Sequence, residues 1–232
     1  MARAIPAASR RRRPYHHGNL RRALLDEALA TIRTGGVDAV TLREIGGRVG
    51  VSRTALYRHF ADKRALLAAV ATEGFQTLRQ QLVAAWEDGG RGRAALDSMG
   101  EAYIHFAVAN PSHYRVMFGG FLEPNERETE LDAEAAGAFQ ALVDALVALQ
   151  HDRLVRGDDT VTMARFIWAL VHGVAMLGID AQLHEPGGVE ALTRYALERL
   201  ETGIATDASH RRAPARARRP VGGRGRRSPN RS

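Results

Sequence analysis

The sequence predicts an all-α protein with a small N-terminal helical domain and a larger C-terminal one. Apolar residues recur at spacings of three and four along most of the chain, alternation of the strand type is nowhere sustained, and Gly or Pro separates the helical segments. The chain has 232 residues, of which 45% are hydrophobic and 25% charged. This composition is typical of a soluble globular protein with enough material for a core.

The first four predicted helices each begin at a residue type that caps helices. Thr41 is followed three residues later by Glu44, which is the pattern of a capping box. Glycines are expected to end the first two helices, at residues 35–36 and 50. The cap residues are Asn19, Thr41, Ser52 and Asp62, and the helices are expected at about 19–35, 41–50, 53–60 and 62–88.

Five further helices are predicted in the C-terminal part, around residues 93–109, 111–121, 130–155, 159–184 and 188–204. Pro124, Gly157 and the run 186–188 separate the later ones. The segment 159–184 is apolar nearly all round, so we expect it to be covered on most sides.

Charge is distributed unevenly along the chain, whose formal net charge is +7. Residues 1–14 hold five arginines and no acid, residues 15–75 nine basic and six acidic side chains, residues 76–205 ten basic and nineteen acidic, and residues 206–232 nine arginines and one aspartate. A polyanion is therefore attracted to the N-terminal region and to both ends, and repelled by the middle. Nucleic acid is the partner that this pattern favours.

The two ends are predicted to be a disordered basic arm at 1–14 and a disordered basic tail at 206–232, because neither shows apolar periodicity. They could be merely solvated, or they could add salt-sensitive contacts to phosphates. Between them we expect a DNA-binding domain at 15–75 and a ligand-binding and dimerisation domain at 76–205.

The segment 41–60 has the pattern of a helix-turn-helix: two short helices are joined by a tight turn at Gly50, and the second buries Leu56 and Phe60. An α-helix fits the major groove, where its first residues reach base edges. We assign base contacts to Arg53 and Thr54, since Arg pairs with guanine and Thr offers a hydroxyl or a methyl group.

Five other side chains are predicted to contact phosphates. Three lie further along the second helix, where their polar groups would meet the DNA backbone. Two lie at the starts of neighbouring helices, where backbone N–H groups already favour an anion. These residues are Tyr57, Arg58, His59, Thr41 and Lys63.

The stretch from Asn19 to Phe75 resembles the DNA-binding domain of the TetR family of regulators. The resemblance rests on the pattern T-x-x-x-I-x-x-x-x-G-V-S-x-x-x-L-Y-x-H-F-x-x-K-x-x-L-L, which begins at Thr41 and is matched at every fixed position. One departure is Gly46-Gly47, where the family more often has Ala; each Gly inside a helix costs about 1 kcal/mol. Drift or close helix packing could explain this pair.

The resemblance implies a homodimer formed through the last two helices and a small-molecule effector held in the C-terminal domain. The sequence is compatible with this, because Val189, Leu192, Ala196 and Leu200 repeat on one side of the last helix. A four-helix interface across a two-fold axis would place two recognition helices about 34 Å apart on a palindromic operator. Repression is the family's usual mode, and activation is the other possibility.

The segments 110–118 and 168–173 are similar to those of a TetR subgroup named for its Trp-His-Gly motif. Aromatic and Met residues near them are candidates to line an effector pocket, although such a set is also typical of plain core. His172 could contact a ligand or could be a satisfied core residue. The pocket candidates are Tyr103, Phe106, Met117, Phe118, Trp168, His172 and Met176.

Other classes of protein are disfavoured. The chain lacks cysteine and the common nucleotide-binding, serine-hydrolase and zinc-protease motifs. Its nine histidines are dispersed apart from His16-His17, so we expect no metal, no cofactor and no catalysis. No segment is expected to reach the roughly 18 to 20 apolar residues that span a bilayer, which predicts a cytoplasmic protein. A non-specific architectural DNA-binding protein is the alternative that the basic ends leave open.

Overall fold

A computed structural model describes residues 20–122 and 129–206, and this part of the chain is helical, as predicted. Several sequence predictions fall outside the described residues. These concern the cap Asn19, His16-His17, the basic arm at 1–14 and all but the first residue of the tail at 206–232. The helices are α1 Leu20–Gly35, a 3-10 turn Val37–Ala39, α2 Leu42–Val49, α3 Arg53–His59, α4 Lys63–Asp88, α5 Arg93–Ala109, α6 Pro111–Phe118, α7 Thr129–His151, α8 Thr160–Ile179 and α9 Gly188–Ile204.

The three predicted caps that fall within the described residues are confirmed. The Thr41 and Ser52 hydroxyl oxygens each accept a hydrogen bond of 3.2 Å from the backbone N–H three residues on. The Asp62 carboxylate accepts one of 2.8 Å from Ala65 N. Between α2 and α3, Gly50 has φ +79°, a conformation that favours glycine, and its N–H returns to the end of α2. Local chemistry alone thus defines this helix-turn-helix.

The two glycines inside α2 have different surroundings. A Cβ on Gly46 would lie 3.1 Å from Leu56 Cδ2, which is tighter than ordinary van der Waals contact, whereas a Cβ on Gly47 would meet nothing within 4 Å. Gly46 therefore lets α2 approach α3 closely. Nothing in the structure explains Gly47.

The long helix α4 joins the two parts of the chain. It begins beside α3, packs against α1, and continues past residue 75 to pack against α5, α6 and α7. α1 also contacts α6 directly. The predicted domain boundary at residue 75 falls inside this continuous helix, so α4 belongs to both parts of the chain.

Three C-terminal helices are shorter than predicted. They end at Phe118 rather than 121, at His151 rather than 155 and at Ile179 rather than 184. The last two are followed by Arg153 and Ala181 in left-handed conformation, with φ of +56° and +51°. The backbone there turns back on the helix, since Leu154 N donates to Leu149 O and Gln182 N to Leu177 O, both at 2.9 Å. Neither residue is a glycine, so no local signal marked these ends.

The expectation that no segment reaches membrane-spanning length was wrong. Among the described residues, α8 is long and apolar enough to cross a membrane by length and composition. Here it is a packed helix that contacts α5, α7 and α9. It buries Met163, Ala164, Ile167, Val171, Val174 and Ala175.

Candidate DNA-binding surface and effector cavity

The helix α3 has a buried side and an exposed side. Leu56 and the adjoining Phe60 are 2% and 3% exposed and anchor α3 against the first helices. Arg53, Thr54 and Tyr57 are exposed, and Tyr57 keeps 51% of its surface open to solvent although it is aromatic. This face presents guanidinium, hydroxyl and phenol donors side by side, which suits contact with a partner that accepts hydrogen bonds.

The remaining predicted phosphate contacts surround this face. Arg58 and His59 are exposed in the last turn of α3, and Thr41 is exposed at the start of α2. Lys63 is half-buried at the start of α4, where its ammonium donates to Asp38 O at 3.4 Å. An ammonium has three donors, so this contact leaves Lys63 able to bind a phosphate as well.

The C-terminal part contains an apolar cavity of about 210 Å³ between α4, α5, α6, α7, α8 and α9. Four of the seven predicted pocket residues line it: Tyr103, Met117, Phe118 and Trp168. Sequence reasoning missed the contribution of α4, which adds Phe75, Leu78 and Leu82, and of α7 and α9. Their signal was ordinary helical periodicity, which does not distinguish a cavity wall from a filled core.

Phe106, His172 and Met176 were predicted to line the pocket but are not among the residues around this cavity. Phe106 is 1% exposed and belongs to the filled core. It lies three residues after Tyr103, on the same side of α5, and the part of α5 that borders the cavity ends at Tyr103. Met176 lies two turns beyond Trp168 on α8. His172 lies behind the cavity wall, where its Nδ1 is within hydrogen-bond distance of Tyr103 and Tyr114.

A chain of hydrogen bonds runs from the cavity wall into the core. Trp168 Nε1 donates to Tyr103 Oη at 3.0 Å, Tyr103 Oη lies 2.9 Å from Tyr114 Oη, and Tyr114 Oη lies 2.6 Å from His172 Nδ1. The indole N–H only donates, whereas each hydroxyl can donate and accept and His172 Nδ1 can do either according to its tautomer. With a neutral His172 protonated on Nε2, Tyr103 donates to Tyr114, Tyr114 donates to His172 Nδ1, and every polar group of this chain has a partner.

Burial disfavours the charged form of each titratable group in this chain of hydrogen bonds. It raises the pKa of Tyr103 to about 12, raises that of Tyr114 further, and lowers the pKa of His172 below its usual value. All three groups are therefore uncharged at neutral pH. The only sequence signal for Tyr114 was its place in the segment 110–118, and Tyr114 was not selected as a candidate.

A second polar cluster lies where α1, α4 and α6 meet. Arg22 donates to both carboxylate oxygens of Glu73 at 2.7 Å and binds Asp26 on its own helix. From α6, His113 Nε2 lies 3.5 Å from the same Glu73 carboxylate. Burial lowers the pKa of His113, although Glu73 opposes this. Glu73 thus connects the first helix to α6.

The outer face of α8 is exposed and apolar. Phe166, Ala169, Gly173 and Leu177 follow one another at spacings of three and four, and we call them the α8 stripe. Phe166 and Leu177 are 59% and 41% exposed, and Gly173 has nothing within 4 Å of where a Cβ would lie. Tyr195 on the neighbouring α9 is 61% exposed. The stripe has the composition of a surface covered by another chain.

Comparison with known proteins decides the family. A family model described as "Bacterial regulatory proteins, tetR family" matches residues 24–70, and one described as "Tetracyclin repressor-like, C-terminal domain" matches residues 96–200. An uncharacterized HTH-type transcriptional regulator of Mycobacterium tuberculosis is 34% identical over 185 residues, which are 76% of this chain and 76% of that protein. The chain belongs to the TetR family. It is a DNA-binding transcriptional regulator.

Solved structures agree with this TetR assignment. A protein of unknown function from Rhodococcus sp. RHA1 has a TM-score of 0.75 and 30% identity, and the match covers 84% of this chain and all 100% of that one. SmeT, the repressor of the Stenotrophomonas maltophilia multidrug efflux pump SmeDEF, has a TM-score of 0.61 and 22% identity, covering 89% and 99%. The second likeness concerns the fold alone. The Trp-His-Gly subgroup stays a prediction.

Proposed function

We propose that this TetR family regulator is a repressor that binds a palindromic operator as a homodimer and is released by a small-molecule effector. The observation that carries the proposal is the exposed face of α3, where Arg53, Thr54 and Tyr57 point outward from a helix held by Leu56 and Phe60. In the same proposal, the protein acts in the cytoplasm and catalyses no reaction.

On the operator, Arg53 and Thr54 contact base edges, and the residues around them hold the phosphates. Arg53 occupies the first turn of α3, the part of a recognition helix that reaches furthest into the major groove. Thr41 uses its hydroxyl oxygen as a helix cap, which leaves the hydroxyl hydrogen free to donate to a phosphate. Lys63, Tyr57, Arg58 and His59 supply the other phosphate contacts.

The homodimer forms through α8 and α9, with the α8 stripe against its counterpart in the partner. Large Phe166 and Leu177 flank small Ala169 and Gly173, so two such stripes can approach closely in the middle and interlock at the ends. Covering exposed apolar surface contributes about 25 cal/mol for each Å² removed from water. An isologous contact of this kind generates the two-fold symmetry that a palindrome requires.

Effector binding is coupled to DNA binding through α4 and α6. Met117 lines the cavity and also abuts α4, where a Cβ on Gly74 would lie 2.5 Å from Met117 Sδ. One residue earlier on α4, Glu73 holds Arg22 of α1. A ligand that displaces Met117 therefore acts on the helix that positions the DNA-binding part. Because the coupling is reciprocal, DNA must weaken effector binding by the same factor.

The experiment that tests the proposal is a selection of bound sequences from random duplex DNA at physiological salt, followed by titration of the preferred duplex against a scrambled one. We expect a palindromic sequence, bound about a thousandfold more tightly than the scrambled duplex. Flat enrichment would contradict the proposal and would favour an architectural DNA-binding protein whose affinity comes from counterion release.

A further inference from the structure

The effector cavity has almost no polar surface available to a ligand. Among the residues that the structure describes, the lining contains no Asp, Glu, Lys, Arg or His, and only Tyr103 and Trp168 carry side-chain polar atoms. An ionic ligand would leave water without meeting an opposite charge. Burying an unpaired ion is among the most unfavourable events in protein interiors.

The two polar groups of the lining are already engaged with each other. The Trp168 N–H is used by Tyr103, and the Tyr103 proton is used by Tyr114, which lies 2.9 Å away, or by His172 at 3.3 Å. With a neutral His172 protonated on Nε2, each of these protons has a partner within the wall. Among the described lining residues, a carboxylate or phosphate could gain a donor only by displacing one of these hydrogen bonds, whereas a hydroxyl could still donate to a lone pair of Tyr103 Oη.

Within the described lining, the groups that could attract a cation are ring faces. Phe75, Phe118 and Trp168 border the cavity, with the Phe118 and Trp168 ring centroids 6.1 Å apart. Rings attract cations, but the attraction is smaller than the hydration that a buried cation loses when no carboxylate faces it.

The volume of the cavity limits the size of the ligand. A dry apolar cavity of about 150 Å³ accepts benzene, so the 210 Å³ here corresponds to a molecule of about eight to ten non-hydrogen atoms. The proportions suit one ring with a short substituent.

We propose that the effector is a small uncharged molecule, predominantly apolar and with at most one hydroxyl-type donor, and that charged molecules of the same shape are excluded. This inference rests on the proposed effector role of the cavity. It narrows that role to one class of ligand, and it assigns the Trp168–Tyr103–Tyr114–His172 chain the part of keeping the polar atoms of the wall satisfied without the ligand.

Three probes with one carbon skeleton test the proposal on the DNA-free protein: 2-phenylethanol, phenylacetate and 2-phenylethylammonium. They are, in that order, neutral, anionic and cationic at pH 7, and each has about nine or ten non-hydrogen atoms, which fits the cavity estimate. Binding is measured by calorimetry. A second readout is the emission of Trp168 in a Trp86→Phe background, in which Trp168 is the only tryptophan.

We expect 2-phenylethanol to bind and both charged probes to bind at least about tenfold more weakly. Equal or tighter binding of either charged probe would overturn the proposal. So would failure of all three to bind.

Two variants show whether binding occurs in this cavity. Ala138→Leu extends a buried lining residue into the space and is expected to abolish binding of 2-phenylethanol. Ala136→Leu makes the same change at an exposed position of α7 and should leave binding unchanged. If Ala138→Leu unfolds at a lower temperature than the parent, Ala135→Leu, which also lines the cavity, replaces it. Unchanged binding in the filled variant would refute the assignment.

These measurements are independent of the operator selection, which uses no ligand. Loss of operator preference would remove the regulatory role and leave the binding result standing. Failure of the neutral probe to bind would remove this inference and leave operator binding standing.

Discussion

The helices α3 and α8 each expose a row of side chains that suits contact with a partner. The row on α3 is polar, whereas the row on α8 is apolar. α3 is 7 residues long and shows Arg53, Thr54 and Tyr57 outside, whereas α8 is 20 residues long and shows the apolar α8 stripe. A polar exposed face remains stable in water until a polyanion arrives. An apolar face of that length favours permanent cover.

The two surfaces suit different kinds of partner, so substitutions in them are expected to have different effects. Loss of the α8 stripe is expected to remove the dimer and with it every property that needs two half-sites. Loss of an α3 side chain should alter how DNA is recognised and leave assembly intact.

Phe166→Asp should produce a folded monomer that has lost most of its operator affinity. The side chain is 59% exposed in the single chain, so the substitution should change monomer stability little. Losing the second half-site should weaken operator binding by about a hundredfold or more. Sedimentation velocity and operator titration measure both effects. The matched control is Val147→Asp, at a similarly exposed apolar position on α7. A dimeric Phe166→Asp protein would contradict the proposed interface.

Arg53→Ala should weaken the preferred operator by about 1–3 kcal/mol and relax the choice of base at one position of each half-site. Lys63→Ala should weaken all duplexes about equally and lower the salt dependence of binding, because it removes a phosphate contact. Repeating the sequence selection with each variant distinguishes the two. An unchanged preferred sequence with Arg53→Ala would show that the base-reading face was assigned wrongly.

Gly74→Ala should destabilise the protein by about 1–2 kcal/mol, since the new methyl group forces α6 away from α4. It would lie 2.5 Å from Met117 Sδ and 3.3 Å from His113 Cβ. Gly203→Ala is the control, because nothing lies within 4 Å of its position in α9 and the change there should stabilise the helix. Denaturant unfolding measures both, and equal effects would contradict the close approach of α6.

Asp97→Asn should stabilise the protein at pH 7 by about 1 kcal/mol, allowing for the solvent that reaches this half-buried carboxyl. Burial, together with Glu201, raises the pKa of Asp97 to about 6. The protonated form therefore favours the folded state, and this contribution is lost as pH rises from about 4 through 6. The gain from the substitution should grow over that window and vanish below it. Denaturant unfolding of the parent and the variant at several pH values measures this, and a gain that stays constant between pH 4 and 7 would contradict the raised pKa of Asp97.

Gly47→Ala should stabilise α2 by somewhat under 1 kcal/mol, the usual advantage of Ala in a helix. Gly46→Ala should gain little or nothing, because its methyl group would crowd Leu56 Cδ2 at 3.1 Å. Thermal unfolding of the two variants side by side measures the difference. Identical shifts would show that α2 and α3 can separate without cost.

The N-terminal helices were predictable almost to the residue because residues close along the chain determine where each helix begins and ends. The capping hydroxyls of Thr41 and Ser52, the carboxylate of Asp62 and the glycine at 50 act within a few residues along the chain. The C-terminal ends at Arg153 and Ala181 are different: an ordinary residue takes a left-handed conformation there. Such backbone strain persists only when the surrounding structure holds it. The position of these helix ends could therefore not be predicted from the local sequence.

The candidate sites divide in the same way. The exposed and buried sides of α3 follow from helical spacing within one short segment, so Arg53 and Leu56 were assigned to opposite faces correctly. The cavity is bounded by six helices, and whether an aromatic side chain borders empty space or fills a core depends on how those helices meet. The residue pattern alone therefore identified Tyr103 and Trp168 correctly, but it also placed Phe106 and Met176 at the cavity, and it did not single out Tyr114.

The sequence was enough to predict the helical class, the helix-turn-helix with its caps and turn, and the TetR resemblance, because these depend on interactions between residues close along the chain. It did not reveal where the cavity lies, the hydrogen-bonded chain from Trp168 to His172, or the connection of α1 to α6 through Glu73. The long-range contacts in these features join residues 40 to 69 positions apart, and such distances are set by the packing of the whole chain.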